Sequence, residues 1–437
     1  MEGETVWLNL NQMKAPVANI EPFYKNNRDS MPVQSVIMIY KLYCLCYGLT
    51  MITRIMQEKL IDLAGKYPVV SVIGPRQSGK TTLVRATFPE KRYVSLEDPD
   101  TREFAQSDPR GFLTTYSDNV ILDEVQRVPQ LFSYIQTIVD QGQQSGQFVL
   151  TGSNNYLLQE NLSQTLAGRV AILKLLPLSI EEIVNAGYQT NNYEEYIFKG
   201  LYPRIYDHLL NPEIWYANYI QTYIERDVRL IKNISDLGAF QRFIKLCAGR
   251  IGQLLNLSSL GNDCGISHNT AKSWLSILES SFIVFLLQPH HENFSKRLVK
   301  QPKIYFYDPG LAASLLGIES EDQLNTHYLI GGLFETFIIA ELTKYRFNRS
   351  LEPQLYFWRD NKGSEVDCII EFQNSLIPVE IKAGKTINLD YFKMLSYWSS
   401  LAAGKTGSSF LIYGGDESQR RSQAHVIRWY EATKVYS

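Results

Sequence analysis

Nine residues, Gly74-Pro75-Arg76-Gln77-Ser78-Gly79-Lys80-Thr81-Thr82, constrain this chain more than any other stretch of it. They follow Pro68-Val69-Val70-Ser71-Val72-Ile73, an apolar β-branched run of the kind that forms a buried parallel strand, and they open a helical segment. Strand, glycine-containing loop and helix in that order make a phosphate cradle. The glycines let the backbone curl until successive N–H groups face phosphate oxygens, and Lys80 adds a cation at the β and γ phosphates. Thr81 would set its hydroxyl on Mg²⁺. The whole segment is therefore expected to bind ATP, and the fold must include a parallel α/β sheet.

A second strand carries acid. Asn119-Val120-Ile121-Leu122 is another buried run and ends in Asp123-Glu124. Acidic residues at the C-terminal end of such a strand sit where α/β sheets bind ligands. Asp123 suits Mg²⁺, and Glu124 suits the removal of a proton from the water that attacks the γ-phosphate. This pair points beyond binding to hydrolysis. Arg92–Leu96 forms a further strand between them in the chain. Gln147–Leu150 is one more, and its polar end places Ser153 or Asn154 beside the γ-phosphate, unless Gly152-Ser153-Asn154 is simply a turn.

Residues 51–437 resemble the bacterial and archaeal ATPases that join an AAA-type P-loop domain to a C-terminal domain of unknown function. The segments that carry the likeness are Gly74–Thr82, Leu122–Gln126, Leu150–Ser153, Leu166-Ala167-Gly168-Arg169 and Tyr223–Asp227. The resemblance implies nucleotide roles for Lys80, Thr81, Asp123 and Glu124, on a RecA-like parallel sheet. P-loop enzymes often use an arginine, in cis or from a neighbour, to neutralise transition-state charge. Arg169 and Arg226 are the candidates, each with an ordinary ion pair as its alternative.

At 437 residues the chain exceeds one ordinary core, so several domains are expected: an extension at 1–50, the ATPase domain at 51–178, a helical region with a winged helix-turn-helix at 179–303, and a last domain at 304–437. The extension reads as poorly ordered or not native, since an amphipathic run begins at Met51. Composition is that of a globular protein, and a net charge of -2 exerts no global pull on nucleic acid. Five scattered cysteines have neither zinc-site nor disulfide spacing, which fits a reducing cytoplasm, and the apolar stretch Val36–Cys46, broken by Lys41, is too short and interrupted to imply a membrane span.

In the middle region, Leu257–Cys264 reads as a helix, Gly265 as a turn and His268–Leu275 as a second helix capped by Ser267. Such a second helix presents polar N-terminal residues to DNA bases, here His268, Asn269 and Lys272. The Lys296–Lys303 segment, with Arg297 and Lys300, would form a basic wing tip. The alternative is a module that packs against the ATPase and reads nothing.

Further on, an amphipathic helix over Leu333–Arg346 carries Glu335, and three strands follow, the last two forming a hairpin about Gln373–Ser375. Counting outward from that turn sets Asp367 opposite the Glu380–Lys382 region, with Glu380 and Lys382 on one face. Two carboxylates and a lysine suit a metal-dependent phosphodiesterase. The segment resembles the restriction-endonuclease-like fold, which implies Glu335, Asp367 and Glu380 as metal ligands and Lys382 as the catalytic lysine. The alternative is an exposed face of cross-strand ion pairs. Three functions are consistent with these readings: an ATP-driven nucleic-acid enzyme, an ATPase switch acting on a protein partner over an inactive nuclease-like scaffold, and a nucleotide-regulated DNA-binding protein. Any of them could act as an oligomer.

Overall fold

The run Val69–Ile73 is buried at every position and forms strand β1. It belongs to a parallel sheet with β2 (Arg92–Ser95), β3 (Val120–Asp123), β4 (Phe148–Gly152) and β5 (Val170–Lys174), in the spatial order β2-β3-β4-β1-β5. The strand between β1 and β3 in the sheet is thus β4, while β2, which lies between them in the chain, takes the edge. Side chains alternate across the sheet. Val69 and Ile73 join one core with Leu122, Leu150 and Phe132, whereas Val70 and Val72 join another with Leu83, Val84 and Val149. A sheet covered on both faces explains why its strands read as unbroken apolar runs.

The computed structural model describes residues 52–117, 119–142, 144–153, 164–224, 236–290, 299–402 and 404–437. The expected extension at 1–50, Asn154, Arg226, Lys296 and Arg297 lie outside them. Thr53–Ser437 packs as one unit.

After β5 the chain is helical. The helices Leu257–Cys264 and His268–Ser280 meet at Gly265, whose φ of 72° supplies the left-handed turn, and the Ser267 hydroxyl accepts the Thr270 N–H to cap the second helix. Strands β6 (Val284–Pro289) and β7 (Lys303–Phe306) then pair antiparallel. They extend a larger sheet built with β8 (Leu355–Arg359), β9 (Glu365–Phe372), β10 (Ser375–Lys382), β11 (Phe410–Tyr413), β12 (Gln419–Arg420) and β13 (His425–Arg428), in the order β12-β13-β11-β10-β9-β8-β6-β7. Strand β7 begins at residue 303, the expected end of the middle region.

The β9–β10 hairpin has the expected turn: Gln373 and Asn374 both adopt positive φ, 48° and 64°, the geometry of a tight two-residue connection. The helix around Glu335 runs over Ile330–Asn348 and differs from the amphipathic expectation, being buried on nearly every side. It touches β5, β7, β10 and the helix Met56–Ala64. Solvent reaches little of it, so a polar stripe is replaced by internally paired Glu341 and Lys344.

Asp308 ties the helical region to the helix Pro309–Leu315, which it caps. Buried at 2% exposure, it accepts from Leu201 N at 2.7 Å, Tyr216 OH at 2.6 Å and Leu311 N at 2.8 Å. Asp308→Ala strands these buried donors and should cost about 3 kcal/mol. The urea midpoint of unfolding should fall accordingly; an unchanged midpoint would contradict this role.

Candidate functional site: the P-loop and its connections

The loop after β1 is shaped by close approaches. A Cβ on Gly74 would lie 2.1 Å from the Leu175 carbonyl oxygen, so no other residue fits there. Gly79 caps the helix Lys80–Thr87 at φ 90°, a left-handed conformation natural to glycine. Lys80 is buried, and its Nζ donates to the carbonyls of Gly74 at 3.1 Å and Pro75 at 2.7 Å, folding the ammonium over the loop. The Ser78 hydroxyl is buried with no hydrogen-bond partner among the described residues. An orphaned donor in a loop of this shape fits an anionic phosphate. Gln77 holds positive φ, Arg76 offers its carbonyl to Tyr219 OH at 3.4 Å, and Thr82 turns outward, exposed.

Asp123, at the end of β3, is the point where hydroxyls converge. It accepts from Thr81 Oγ1 at 3.1 Å, Tyr93 OH at 2.7 Å and the buried Thr151 hydroxyl. Burial and then the Asp123 carboxylate push the Tyr93 phenol up to about 12, so it stays a donor. Thr81 and Asp123 thus already stand together as two hard oxygen donors, which fits a shared Mg²⁺. Glu124 follows in left-handed backbone, φ 57° and ψ 41°. That conformation is uncommon for a residue with a Cβ and redirects its carboxylate. The side chain is held by Gln126 Nε2 at 2.5 Å and Ser153 Oγ at 3.0 Å. Ser153 therefore meets the acid as well as the strand end.

Arg169 lies elsewhere. Its carbonyl accepts from Val69 N, at the N-terminal end of β1, and its guanidinium pairs with Asp140. A strand of five residues, about 16 Å, separates it from its own P-loop. In cis it cannot reach the phosphates.

Sequence reasoning overlooked Arg54. Only 6% exposed, it donates from Nη1 to the P-loop carbonyl of Ser78 at 2.6 Å, from Nη2 to Leu176 O at 2.7 Å and from Nε to Glu182 Oε1 at 3.0 Å. Glu182 also accepts from Ile55 N and closes a capping box with Ser179. The next N–H, of Ile180, goes to Glu341 Oε2 at 2.8 Å, and Lys344 Nζ bridges Glu341 at 2.7 Å and Leu178 O at 3.0 Å. A continuous buried series of polar contacts and short backbone steps thus leads from the P-loop to the helix Ile330–Asn348. Its sequence signal was faint: one arginine in an amphipathic run, and an acid and a lysine three residues apart.

On the second helix of the pair, His268, Asn269 and Lys272 are exposed. The basic wing tip is corrected in part. Lys300 is exposed, but Lys303 is 2% exposed and paired with Glu335 at 3.1 Å and Glu365 at 2.5 Å. It points inward because β7, the edge strand of the large sheet, packs against the helix that carries Glu335.

The C-terminal residues do meet. Asp367 Oδ2 accepts from Ile381 N at 2.8 Å and Lys382 Nζ at 2.9 Å, and Lys382 also pairs with Glu380 at 2.7 Å. Glu335 accepts from Lys303 and Tyr305 OH. Two ammoniums therefore stand among the acids, and no group of three or more His, Cys, Asp or Glu side chains among the described residues is arranged to hold a metal ion. The expected metal set of Glu335, Asp367 and Glu380 is replaced here by lysine pairing. Burial pushes the Glu335 carboxyl up to about 7, opposed by Lys303, and Glu380 up to about 8, with Asp367 adding to the rise. Burial alone would lower the Lys303 and Lys382 ammoniums, but the carboxylates around them hold both above the usual range.

A phosphate loop, an aspartate gathering hydroxyls and a re-aimed glutamate on one parallel sheet define an AAA-type P-loop ATPase. The family described as AAA domain matches residues 66–184, and two domains of unknown function, DUF8612 and DUF4143, match residues 190–322 and 330–432. An uncharacterized protein of Mycobacterium tuberculosis, Rv2008c, is 30% identical over 325 residues, covering 73% of this chain and 71% of that one. The chain belongs to the family of this mycobacterial protein. An uncharacterized protein of Methanocaldococcus jannaschii is 24% identical over 336 residues, 69% of this chain and 72% of its own. Among solved structures, a Walker-type ATPase of Pyrococcus abyssi aligns with a TM-score of 0.41 at 14% identity, over 60% of this chain and 94% of that one. No helix among the described residues is long and apolar enough to cross a membrane.

The raised carboxyls have a pH consequence. Glu335 and Glu380 keep protons in the folded state to about 7 and about 8, whereas their ordinary value is 4.5. Between those values the folded state binds more protons than the unfolded chain, so this contribution to stability is complete below 4.5 and is lost as pH rises through 7 and 8. The melting temperature should fall between pH ~6 and pH ~8.5, and Glu380→Gln should flatten that fall. A wild-type profile that rises over this range would contradict it.

Proposed function

We propose that this chain is an ATP-driven switch, in which hydrolysis at the P-loop changes the packing of the modules that follow it. Lys80 and the loop N–H groups bind the β and γ phosphates, and Glu124 takes the proton of the attacking water. Thr81 and Asp123 would hold Mg²⁺, which supplies charge neutralisation on the phosphate oxygens. Ser153, bonded to Glu124, links the presence of the γ-phosphate to the position of the acid. The observation that carries the reading is the convergence of Thr81, Tyr93 and Thr151 on Asp123, beside a Glu124 fixed in left-handed backbone. Arg169 can serve only a neighbouring subunit, an arrangement that requires an oligomer.

The lysine-filled acidic cluster favours a switch over a nuclease. Its sheet and the helix bearing Glu335 agree with a restriction-endonuclease-like architecture used as scaffold. A second reading rests on the exposed His268, Asn269 and Lys272: the helix-turn-helix with β6 and β7 acts as a winged helix that contacts DNA, and ATP regulates that contact. The first reading takes a protein as target, the second a nucleic acid.

ATP turnover measured with and without DNA or RNA decides between them. Lys80→Ala should abolish turnover, and Glu124→Gln should lower kcat by about 10²–10⁴-fold while ATP still binds. Stimulation by nucleic acid, lost in His268→Ala/Lys272→Ala, supports the second reading; its absence supports the protein target. Glu124→Gln turning over at the wild-type rate would overturn the assignment of the base.

A further inference from the structure

Between the helix Ile180–Asn185, the later turns of the helix Ile330–Asn348 and the short helical stretch Trp429–Tyr436 lies a cavity of about 260 Å³. It contains no residue of the P-loop or of the lysine-paired acids. Tyr196, Tyr345 and Trp429 are part of its wall. Most of its charged groups are spent on protein partners: Glu341 pairs with Lys344 at 2.7 Å, Glu431 pairs with Arg428 at 2.8 Å and with Lys434 at 2.6 Å, and the Arg349 guanidinium lies over the Tyr345 ring at 3.5 Å. Two neutral polar groups of the wall are left over. The Trp429 indole nitrogen is buried with no hydrogen-bond partner among the described residues. Asn348 is 4% exposed, and its carboxamide likewise has no partner among them. Polar groups withdrawn from water are normally paired, so two orphans on one cavity wall point to a missing ligand.

We infer that this cavity binds an adenine-type base: a neutral, planar nitrogen heterocycle with a donor and an acceptor side by side on one edge. Size sets the first limit. Drug-sized ligands occupy about 300–1,000 Å³, so the space suits one ring system and leaves any sugar at the mouth. The orphans set the second. A carboxamide carries a donor beside an acceptor and pairs bidentately with an edge that does the same, as adenine does with its amino group and neighbouring ring nitrogen. An indole N–H only donates and needs a ring nitrogen to accept. Aromatic walls suit a flat base, because every base has a face that stacks. The location gives the site a consequence. Ile180 and Glu341 both line the cavity, and the Ile180 N–H donates to Glu341 at 2.8 Å, the step by which the connection from the P-loop reaches the long helix. A base seated there holds both helices, so its binding alters ATP turnover; that consequence rests on the ATP-driven reading, whereas the binding does not.

Equilibrium dialysis of the full chain against adenosine, which lacks the phosphates that the P-loop binds, tests the site. Wild type and Lys80→Ala should bind adenosine alike, and Asn348→Leu should bind it more weakly by on the order of ten- to a hundredfold. Dimethylation of the adenosine amino group, which removes the donor from that edge, should cost wild type a similar factor. If Asn348→Leu folds poorly, Val184→Phe, which fills the cavity from its half-buried wall, should lose the binding instead. At sub-saturating ATP, adenosine should change wild-type turnover severalfold and leave that of Asn348→Leu unchanged, whereas competition at the P-loop would act on both alike. Wild type failing to bind adenosine overturns the inference, as does binding that Asn348→Leu and Val184→Phe retain in full. Binding through Asn348 with turnover unaffected overturns the coupling. A chain with no ATP turnover would fail the ATPase reading, and dialysis would still decide this one.

Discussion

The guanidinium of Arg54 is the contact on which the rest of the arrangement depends. It is a charge taken out of water, and such a charge is tolerated only when its donors are matched. Three different pieces of the chain supply the acceptors: the P-loop at Ser78, the segment after β5 at Leu176, and the helix Ile180–Asn185 at Glu182. Glu182 is itself buried and depends on Arg54 in return. None of the three can shift alone without leaving a buried charge or carbonyl unpaired, at a cost of about 3–5 kcal/mol for the ion pair. The shape of the phosphate loop is thereby bound to residues that neither touch nucleotide nor belong to the loop's own sheet.

From Glu182 the same logic continues inward. Ile180 N is satisfied by Glu341, and Glu341 by Lys344, both on a helix buried on nearly every side. That helix carries Glu335 about one and a half turns earlier, in contact with Lys303. One rigid element therefore has the connection to the ATP site near its middle and the acidic cluster toward its start. The two sites are joined by packed, two-ended contacts, which is the physical condition for one to bias the other.

Much of this was legible in the sequence where local chemistry dictates geometry. The apolar runs ending in Gly74 and Asp123 read as buried parallel strands because a sheet covered on both faces admits no alternation. The hairpin at Gln373-Asn374 and the helix pair around Gly265 were readable because turns leave composition marks. Long-range pairing left none. Nothing in Lys303 itself distinguishes an exposed basic tip from a buried partner of Glu335; only the placement of β7 at the edge of the large sheet, against the helix Ile330–Asn348, decides it. The helix Ile330–Asn348 departs from the amphipathic expectation because its charged residues Glu335, Glu341, Lys344 and Arg346 are each matched internally. The motif makes Arg169 a candidate to neutralise transition-state charge, and its place at the opposite end of β1 is set by long-range pairing that the motif does not carry. The position of β4 between β1 and β3 was likewise invisible, since strand order in a parallel sheet is set by crossovers and not by chain order.

The central claim is that the nucleotide state of the P-loop is felt in the helix Ile330–Asn348 through Arg54 and Glu182. Amide hydrogen exchange of Glu124→Gln with and without ATP reads this directly, since that variant should hold ATP without consuming it. The expected result is a change in exchange at Gly74–Thr82, at Ile180–Asn185 and at the Glu341 region of the long helix, with the last two lost in Arg54→Ala. A change confined to Gly74–Thr82 and its neighbouring strands would contradict the account.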